Sequence, residues 1–116
     1  MRLFDSEIKV MEIVWQNEPI SAKQISLIAN TEIGWNKNTT YTIINKLLEK
    51  GYISRDEPGF ICTSLIKKEN VQKSEANELI RKLFNGSKKA LFSALIEDET
   101  LSESEIDELR DLINKR

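Results

Sequence analysis

The hydrophobic pattern of the first 66 residues changes its period once, and this change restricts the folds open to the chain. Apolar residues recur at helical spacing in three successive segments. Two short β-prone runs follow at residues 52–55 and 60–63, joined by Asp56-Glu-Pro-Gly59, in which Pro58 and Gly59 favour a turn. The pattern predicts three helices followed by one β-hairpin, and we expect no larger sheet.

Residues at the ends of the helical segments predict where the helices begin and end. A polar residue that accepts a hydrogen bond from the first turn favours initiation, and a glycine after the last turn favours termination. The predicted helices run from Asp5 or Ser6 to Asn17, from the capping box Ser21-Ala-Lys-Gln24 to about Asn30, and from between Asn36 and Asn38 to Lys50, before Gly51. This order is that of a winged helix-turn-helix domain, over residues 1–66.

Residues 67–116 continue as helices with apolar stripes. One stripe ends at Asn85-Gly86, a short helix follows from Ser87 to about Glu97, and a second capping box, Ser102-Glu-Ser-Glu105, opens the last helix. So short a segment has no core of its own, so the stripes must bury against the first domain or against a second copy of the chain. We expect an α-helical dimerisation region, since helix-turn-helix proteins commonly bind two-fold sites as dimers. The predicted dimer contacts are Leu79, Leu83, Leu91, Leu95, Ile106, Leu109 and Ile113.

The amino-acid composition argues against most catalytic and metal-binding chemistry. The chain has no histidine and a single cysteine, Cys62, so it lacks an internal disulfide, the usual zinc or copper ligands and a histidine base for a nucleophile. Its four glycines stand far apart and form no phosphate loop. An enzyme that uses carboxylates alone remains open, but we expect a binding protein without catalytic activity, cofactor or metal.

The hydropathy pattern predicts a chain that does not enter a membrane. No apolar run approaches the roughly 20 residues of a membrane helix, and the N-terminus lacks the apolar core of a signal peptide. We therefore expect no membrane insertion and a cytoplasmic location.

Charge is distributed unevenly along the chain, although the formal net charge is only −2. Residues 33–55 carry four basic side chains against one acidic one, whereas residues 97–116 carry eight acidic against three basic. Local charge governs attraction to a polyanion more than the total does. The third helix and the hairpin therefore attract phosphate, and the C-terminal end repels it. The predicted phosphate contacts are Lys37, Lys46, Lys50 and Arg55.

The outward face of the third helix carries residue types that can read DNA bases. An ordinary surface helix would present Glu–Lys pairs there. Here amides and hydroxyls occupy the face, which both donate and accept hydrogen bonds, and an aromatic ring can contact a thymine methyl. The predicted base-reading residues are Asn38, Thr39, Tyr41, Thr42 and Asn45. Two alternatives remain: a polar surface without a ligand, and a protein-interaction module with the same fold.

Four stretches of the chain carry motifs that occur together in one family. They are Asp5-Ser-Glu7 with Val10-Met-Glu-Ile-Val-Trp15, Gly34-Trp35 with Thr39, Thr42, Lys46 and Leu47, Lys50-Gly-Tyr-Ile53, and Leu83-Phe-Asn-Gly86 with Leu101-Ser-Glu-x-Glu105-Ile-x-x-Leu109. In combination they resemble the BlaI/MecI/CopY family of bacterial repressors, which covers the penicillinase and methicillin-resistance repressors and a copper-responsive branch. The likeness spans nearly the whole chain.

The resemblance implies a homodimeric, sequence-specific repressor that occupies a palindromic double-stranded DNA operator until a signal removes it. In the β-lactam-resistance branch a membrane sensor-protease triggers cleavage of the repressor within its dimerisation region. In the copper branch a C-terminal cysteine cluster senses the metal.

Three departures from the family pattern change these expectations. The cysteines of the copper branch are absent, so we expect no copper sensing. The Asn-Phe bond that is cut in the cleaved members is absent, and Ala94-Leu95 stands in its place as the candidate cleavage region. The loss of that bond argues against the usual cleavage and leaves open a repressor released by a small ligand. Asn38 and Tyr41 stand where the family usually has basic residues, which predicts weaker phosphate affinity and an altered base preference.

Overall fold

The computed structural model describes residues 3–97 and 101–114, and the chain divides between Gln72 and Lys73 into two compact units. The predicted fold class, mainly helical with a small β-hairpin, is confirmed, and a short third strand adds to the hairpin. The elements are α1 (Asp5–Asn17), β1 (Ile20–Ser21), α2 (Ala22–Glu32), α3 (Lys37–Glu49), β2 (Ile53–Asp56), β3 (Ile61–Ser64), α4 (Lys68–Phe84), α5 (Lys88–Glu97) and α6 (Glu103–Asn114).

The first unit has one hydrophobic core, to which all three of its helices and the sheet contribute. The side chains buried there include Val10, Met11 and Val14 of α1, Ile25 and Ala29 of α2, Ile44 and Leu47 of α3, and Ile53 and Cys62 of the sheet. The start of α4 belongs to this unit, because Val71 is buried in the same core. The indole N–H of Trp15 donates a hydrogen bond to the carbonyl of Ile66, 3.0 Å away, and so ties α1 to the segment that precedes α4.

The sheet has three strands in the order β1-β3-β2, and both pairings are antiparallel. The predicted hairpin is formed by β2 and β3, which we call the wing. The third strand, β1, was not expected: Ile20 pairs with Cys62 and Ser21 with Ile61. The backbone N–H of Ala22 then donates to the carbonyl of Phe60 at 2.9 Å, so the sheet leads directly into α2.

The predicted helix ends are confirmed where a local cap sets them, and the predicted end of the second helix is wrong. Ser21 caps α2 through a 3.1 Å hydrogen bond from the Gln24 N–H, and Gly51 adopts a left-handed φ of 79° after α3. α2 continues to Glu32 rather than ending near Asn30. α1 begins at Asp5, as predicted; Phe4 precedes it at the N-cap position, and the Phe4 N–H donates to the carboxylate of Glu7 at 2.8 Å.

The second unit contains the rest of α4, with α5 and α6. The second predicted capping box is present in full: the Glu105 N–H donates to Ser102 Oγ at 3.2 Å, and the Ser102 N–H donates to the Glu105 carboxylate at 3.0 Å. The hydrogen bond from the Ser102 N–H to the carboxylate is the main cause that lowers the pKa of Glu105. No side chain of α5 is buried. Within the described residues, no helix is long and apolar enough to cross a membrane.

Candidate nucleic-acid interface

α3 turns its apolar side to the core and its polar side to solvent. Ile44 and Leu47 are buried, whereas Asn38, Thr42 and Asn45 are exposed on the opposite side. The helix therefore presents amides and a hydroxyl outward over two turns. Together with Thr39, which is exposed in the first turn, these residues form what we call the polar face of α3.

Hydrogen bonds within the first turns of α3 fix the start of this face. The Asn36 side-chain oxygen caps the helix by accepting from the Thr39 N–H at 2.8 Å. The Thr42 hydroxyl donates to the Asn38 carbonyl at 2.8 Å. Because its proton is used inside the helix, the Thr42 oxygen is oriented to accept a hydrogen bond from outside, such as one from a base amino group.

Tyr41 differs from the other predicted base-reading residues because it is half-buried. Its ring meets the ring of Phe60 edge to face, with centroids 6.0 Å apart and planes at 83°. The ammonium of Lys37 lies 5.7 Å from the Tyr41 ring centroid, near the outer limit of a cation–π contact. Tyr41 thus joins α3 to the wing.

The wing carries Arg55 on β2 in a defined position. Its guanidinium lies 3.7 Å from the centroid of the Phe60 ring, and its Nε donates to the Glu57 carboxylate at 2.6 Å. The hydrogen bond from Arg55 lowers the pKa of Glu57 below its ordinary value. Both partners of this ion pair are about half exposed, so the pair is screened by water and weak.

The four predicted phosphate contacts fall into two groups. Among the described residues, no ion pair is found at Lys37 or Lys46, and both side chains are exposed beside the polar face of α3. Lys50 and Arg55 are paired with carboxylates instead. Lys50 Nζ lies 2.8 Å from Glu7, whose side chain is only 1% exposed, so this cation stabilises a buried charge.

The sequence interpretation missed three residues that help to build this surface. Lys23 lines a shallow cleft of about 220 Å³ with Lys37 and Tyr41. Glu7 forms an ion pair with Lys50, and the ring of Phe60 contacts Tyr41 and Arg55. A basic residue in the first turn of the second helix was a usable signal for Lys23, whereas the neighbours of Glu7 and Phe60 come from distant parts of the chain.

The family model for the penicillinase repressor matches residues 3–115. The chain belongs to the penicillinase repressor family. It is 32% identical over 113 residues to the methicillin resistance regulatory protein MecI of Staphylococcus aureus strain N315, covering 96% of this chain and 92% of MecI. It is 31% identical over 111 residues to the penicillinase repressor of Staphylococcus aureus, covering 94% of this chain and 88% of that repressor.

A solved structure shares its fold with part of this family member. It is the solution structure of Bacillus licheniformis BlaI in its monomeric form, in complex with the blaP half-operator. The two align with a TM-score of 0.54 at 22% identity, over 60% of this chain and 88% of the BlaI chain. The likeness supports the predicted winged-helix fold.

The residues predicted for a dimer interface in this penicillinase repressor family member lie on all three helices of the second unit, and several are exposed. Leu83 is 71% and Leu79 is 43% exposed on α4, and Leu95 is 39% exposed on α5. Leu91, Ile106 and Leu109 are half-buried. Ile106 and Leu109 line an apolar pocket of about 160 Å³ with Phe92, Ile96 and Arg110. The side chain of Ile113 lies outside the described residues.

The candidate cleavage region lies inside a helix. Ala94 and Leu95 are exposed residues of α5. A protease binds its substrate in an extended conformation, so this part of α5 must unwind before it is cut. In the part of the chain that the structure describes, no group of histidine, cysteine or acidic side chains could hold a metal ion, and Cys62 is buried in the core.

Proposed function

We propose that this member of the penicillinase repressor family represses transcription by binding a specific DNA operator through α3 and the wing. One observation carries the proposal: the polar face of α3 presents amides and hydroxyls to solvent, with no acidic side chain before Glu49. Such side chains form the hydrogen bonds that read base edges in the major groove. The proposal assigns no catalytic role to any residue.

Each part of this surface has its own role in the proposed complex. Asn38, Thr42 and Asn45 contact base edges, with Thr39 at the helix start on a base or a phosphate. Tyr41 reaches a base from the side that faces the wing. Lys37 and Lys46 contact phosphates beside α3, because both are exposed and outside any described ion pair. Arg55 contacts the phosphate nearest the wing.

The proposal gives Lys50 a mainly structural role, whereas its charge alone predicted a phosphate contact. Its ammonium is already 2.8 Å from the buried carboxylate of Glu7, and its side chain is 23% exposed. Leaving Glu7 without its cation would place an uncompensated charge in the core. We therefore assign Lys50 to the support of α3, with a phosphate contact as a secondary role.

The proposed functional form is a homodimer on a palindromic operator. The phosphate contacts proposed for one copy are few, namely Lys37, Lys46 and Arg55, and two copies double them. The exposed leucines of α4 and α5 and the apolar pocket of the second unit supply a surface that a second copy would bury. The half-operator bound by monomeric BlaI is consistent with an operator built from two halves in this family.

The dimer is tested by placing a charge in the pocket. We expect Leu109→Asp to give a monomer that binds operator DNA more weakly, because burying a carboxylate in a largely apolar interface costs its hydration. Sedimentation at several protein concentrations measures the mass, and Glu108→Asp on the exposed side of α6 is the matched control. An intact Leu109→Asp dimer would remove this residue from the interface.

We propose that release from DNA follows cleavage triggered by a membrane sensor-protease, with Ala94-Leu95 as the candidate site. Mass spectrometry of the chain recovered from induced cells locates the cut. A break between residues 94 and 95 supports this route. An intact chain that leaves its operator when a small molecule is added contradicts it and favours the alternative of a ligand-released repressor.

DNA reading itself is tested by selection from random-sequence duplexes over several rounds at two salt concentrations. We expect a palindrome whose half-sites are separated by about one helical turn. Weak binding that enriches no sequence and disappears as salt rises would leave only non-specific charge attraction. The protein-interaction module would then be the better interpretation of the fold.

A further inference from the structure

The ring of Phe60 contacts two residues that the proposed function assigns to DNA. Its centroid lies 6.0 Å from the centroid of Tyr41 on α3. It also lies 3.7 Å from the guanidinium carbon of Arg55 on β2. Phe60 is half-buried and precedes β3, so these contacts bring together side chains from three separate elements.

The backbone at Phe60 has a conformation that phenylalanine disfavours. Its φ is +52°, in the left-handed region where a bulky side chain is uncommon and where asparagine or glycine is preferred. The preceding residue, Gly59, also has a positive φ, of 98°. A turn of this shape does not itself call for an aromatic side chain at position 60. The contacts made by the ring give a reason for one.

We propose that Phe60 is a positioning residue for DNA binding, whose ring holds Arg55 and Tyr41 in one fixed arrangement. This inference rests on the proposed function. An arginine that lies on a ring has fewer conformations to lose when it meets a phosphate than an arginine free in water. The same ring restricts Tyr41, so the phosphate contact of the wing and a base contact of α3 are made at a fixed separation.

Glu57 completes the arrangement without blocking it. Its carboxylate bonds Arg55 Nε at 2.6 Å and keeps the guanidinium at the wing surface. Because both side chains are about half exposed, the pair is weak enough to exchange for a DNA phosphate. The face of the guanidinium stays on the Phe60 ring during this exchange, since stacking and edge hydrogen bonds use different parts of the group.

The test replaces the ring but keeps the backbone. Phe60→Asn suits the positive φ, and Phe60→Tyr retains the ring as the matched control. We expect Phe60→Asn to lose about three- to tenfold in affinity for the selected operator, as for one side chain that must now be ordered on binding. Phe60→Tyr should bind as the parent chain does. Circular dichroism and urea titration confirm that both variants are folded.

A double-mutant cycle separates positioning from a structural effect. If Phe60 acts through Arg55, Phe60→Asn should cost much less when Arg55→Ala is already present. An equal loss in both backgrounds would overturn the inference, because a purely structural role does not depend on Arg55. NMR of the free protein gives a second readout: the Arg55 side-chain protons should show an upfield ring-current shift that Phe60→Asn abolishes.

The outcomes distinguish this inference from the function on which it rests. If the parent chain enriches no DNA sequence, the proposed function fails and the positioning role fails with it. If the parent chain binds its operator and Phe60→Asn binds equally well, DNA recognition stands and the positioning role is refuted.

Discussion

Replacing Lys50 by methionine would leave the carboxylate of Glu7 in the core without its cation. Glu7 is 1% exposed, and its Oε1 accepts from both the Lys50 ammonium and the Phe4 N–H at 2.8 Å. Within the described residues, no hydrogen-bond partner is found for Glu7 Oε2. Removing the cation therefore leaves an uncompensated negative charge in the core.

The size of the effect follows from the burial of the two partners. Breaking a buried ion pair by removing one member costs roughly 3–5 kcal/mol. Lys50 retains 23% exposure, so water screens part of the pair and we expect the lower end, about 3 kcal/mol, for Lys50→Met. Glu7→Gln removes the charge and keeps an acceptor for Phe4, so we expect about 1 kcal/mol. The double variant should be more stable than Lys50→Met alone.

Urea titration followed by tryptophan fluorescence measures these differences. Trp15 and Trp35 both lie in the first unit and pack against its core, so the signal reports the unfolding of that unit. Protein concentration is held constant, because self-association would shift the midpoint. Lys46→Met, on the exposed side of α3, is the control and should stay within about 0.5 kcal/mol of the parent. A loss below about 1 kcal/mol for Lys50→Met would refute the argument that Glu7 is desolvated.

Three further predictions concern DNA binding and the buried thiol. Thr42→Ala should cost about 1–3 kcal/mol on the selected operator and relax base preference, as competition between operator variants measures. Lys46→Ala should weaken binding to all duplexes alike and lower the salt slope by about one, as titrations at several salt concentrations measure. Burial raises the pKa of the Cys62 thiol, so iodoacetamide at pH 8 should alkylate the folded chain far more slowly than the urea-unfolded chain. The contribution of the protonated Cys62 thiol to the free energy of unfolding is complete below the ordinary thiol pKa and is lost as pH rises through the raised pKa. Rapid labelling of the folded chain would contradict the burial of Cys62.

Features governed by neighbours in sequence were predicted well. Ser21, Gly51 and Ser102 mark helix ends through bonds or backbone angles within a few residues, and the structure has them as expected. The exposed side of α3 followed from helical spacing, because a helix fixes which residues share a face. Whether Asn38 and Thr42 read bases stays a prediction.

Features that depend on contacts between distant segments were not predicted. Strand β1 has two residues, too few for a periodic pattern, and exists through its pairing with β3 some 40 residues later along the chain. Glu7 resembles an ordinary acidic residue of a first helical turn, yet its partner Lys50 lies 43 positions away. Phe60 read as a strand residue, and its contacts with Tyr41 and Arg55 appear only once the wing lies beside α3.

Strand β3 of the wing forms hydrogen bonds along both of its edges. It pairs with β2 on one edge and with β1 on the other, and the Ala22 N–H after β1 donates to the carbonyl of Phe60 just before β3. The last residue of β3 is also fixed, because the carboxylate of Glu18 accepts hydrogen bonds from the N–H and the hydroxyl of Ser64, each at 2.8 Å. A hairpin fixed at so many points does not swing independently of α2. In the proposed complex the protein therefore fixes the distance between the contacts of α3 in the groove and the contact of the wing. Where the DNA does not match this distance, the DNA has to bend, and the bending costs elastic energy. Sequences that bend easily beneath the wing would then be favoured at base pairs that no side chain touches.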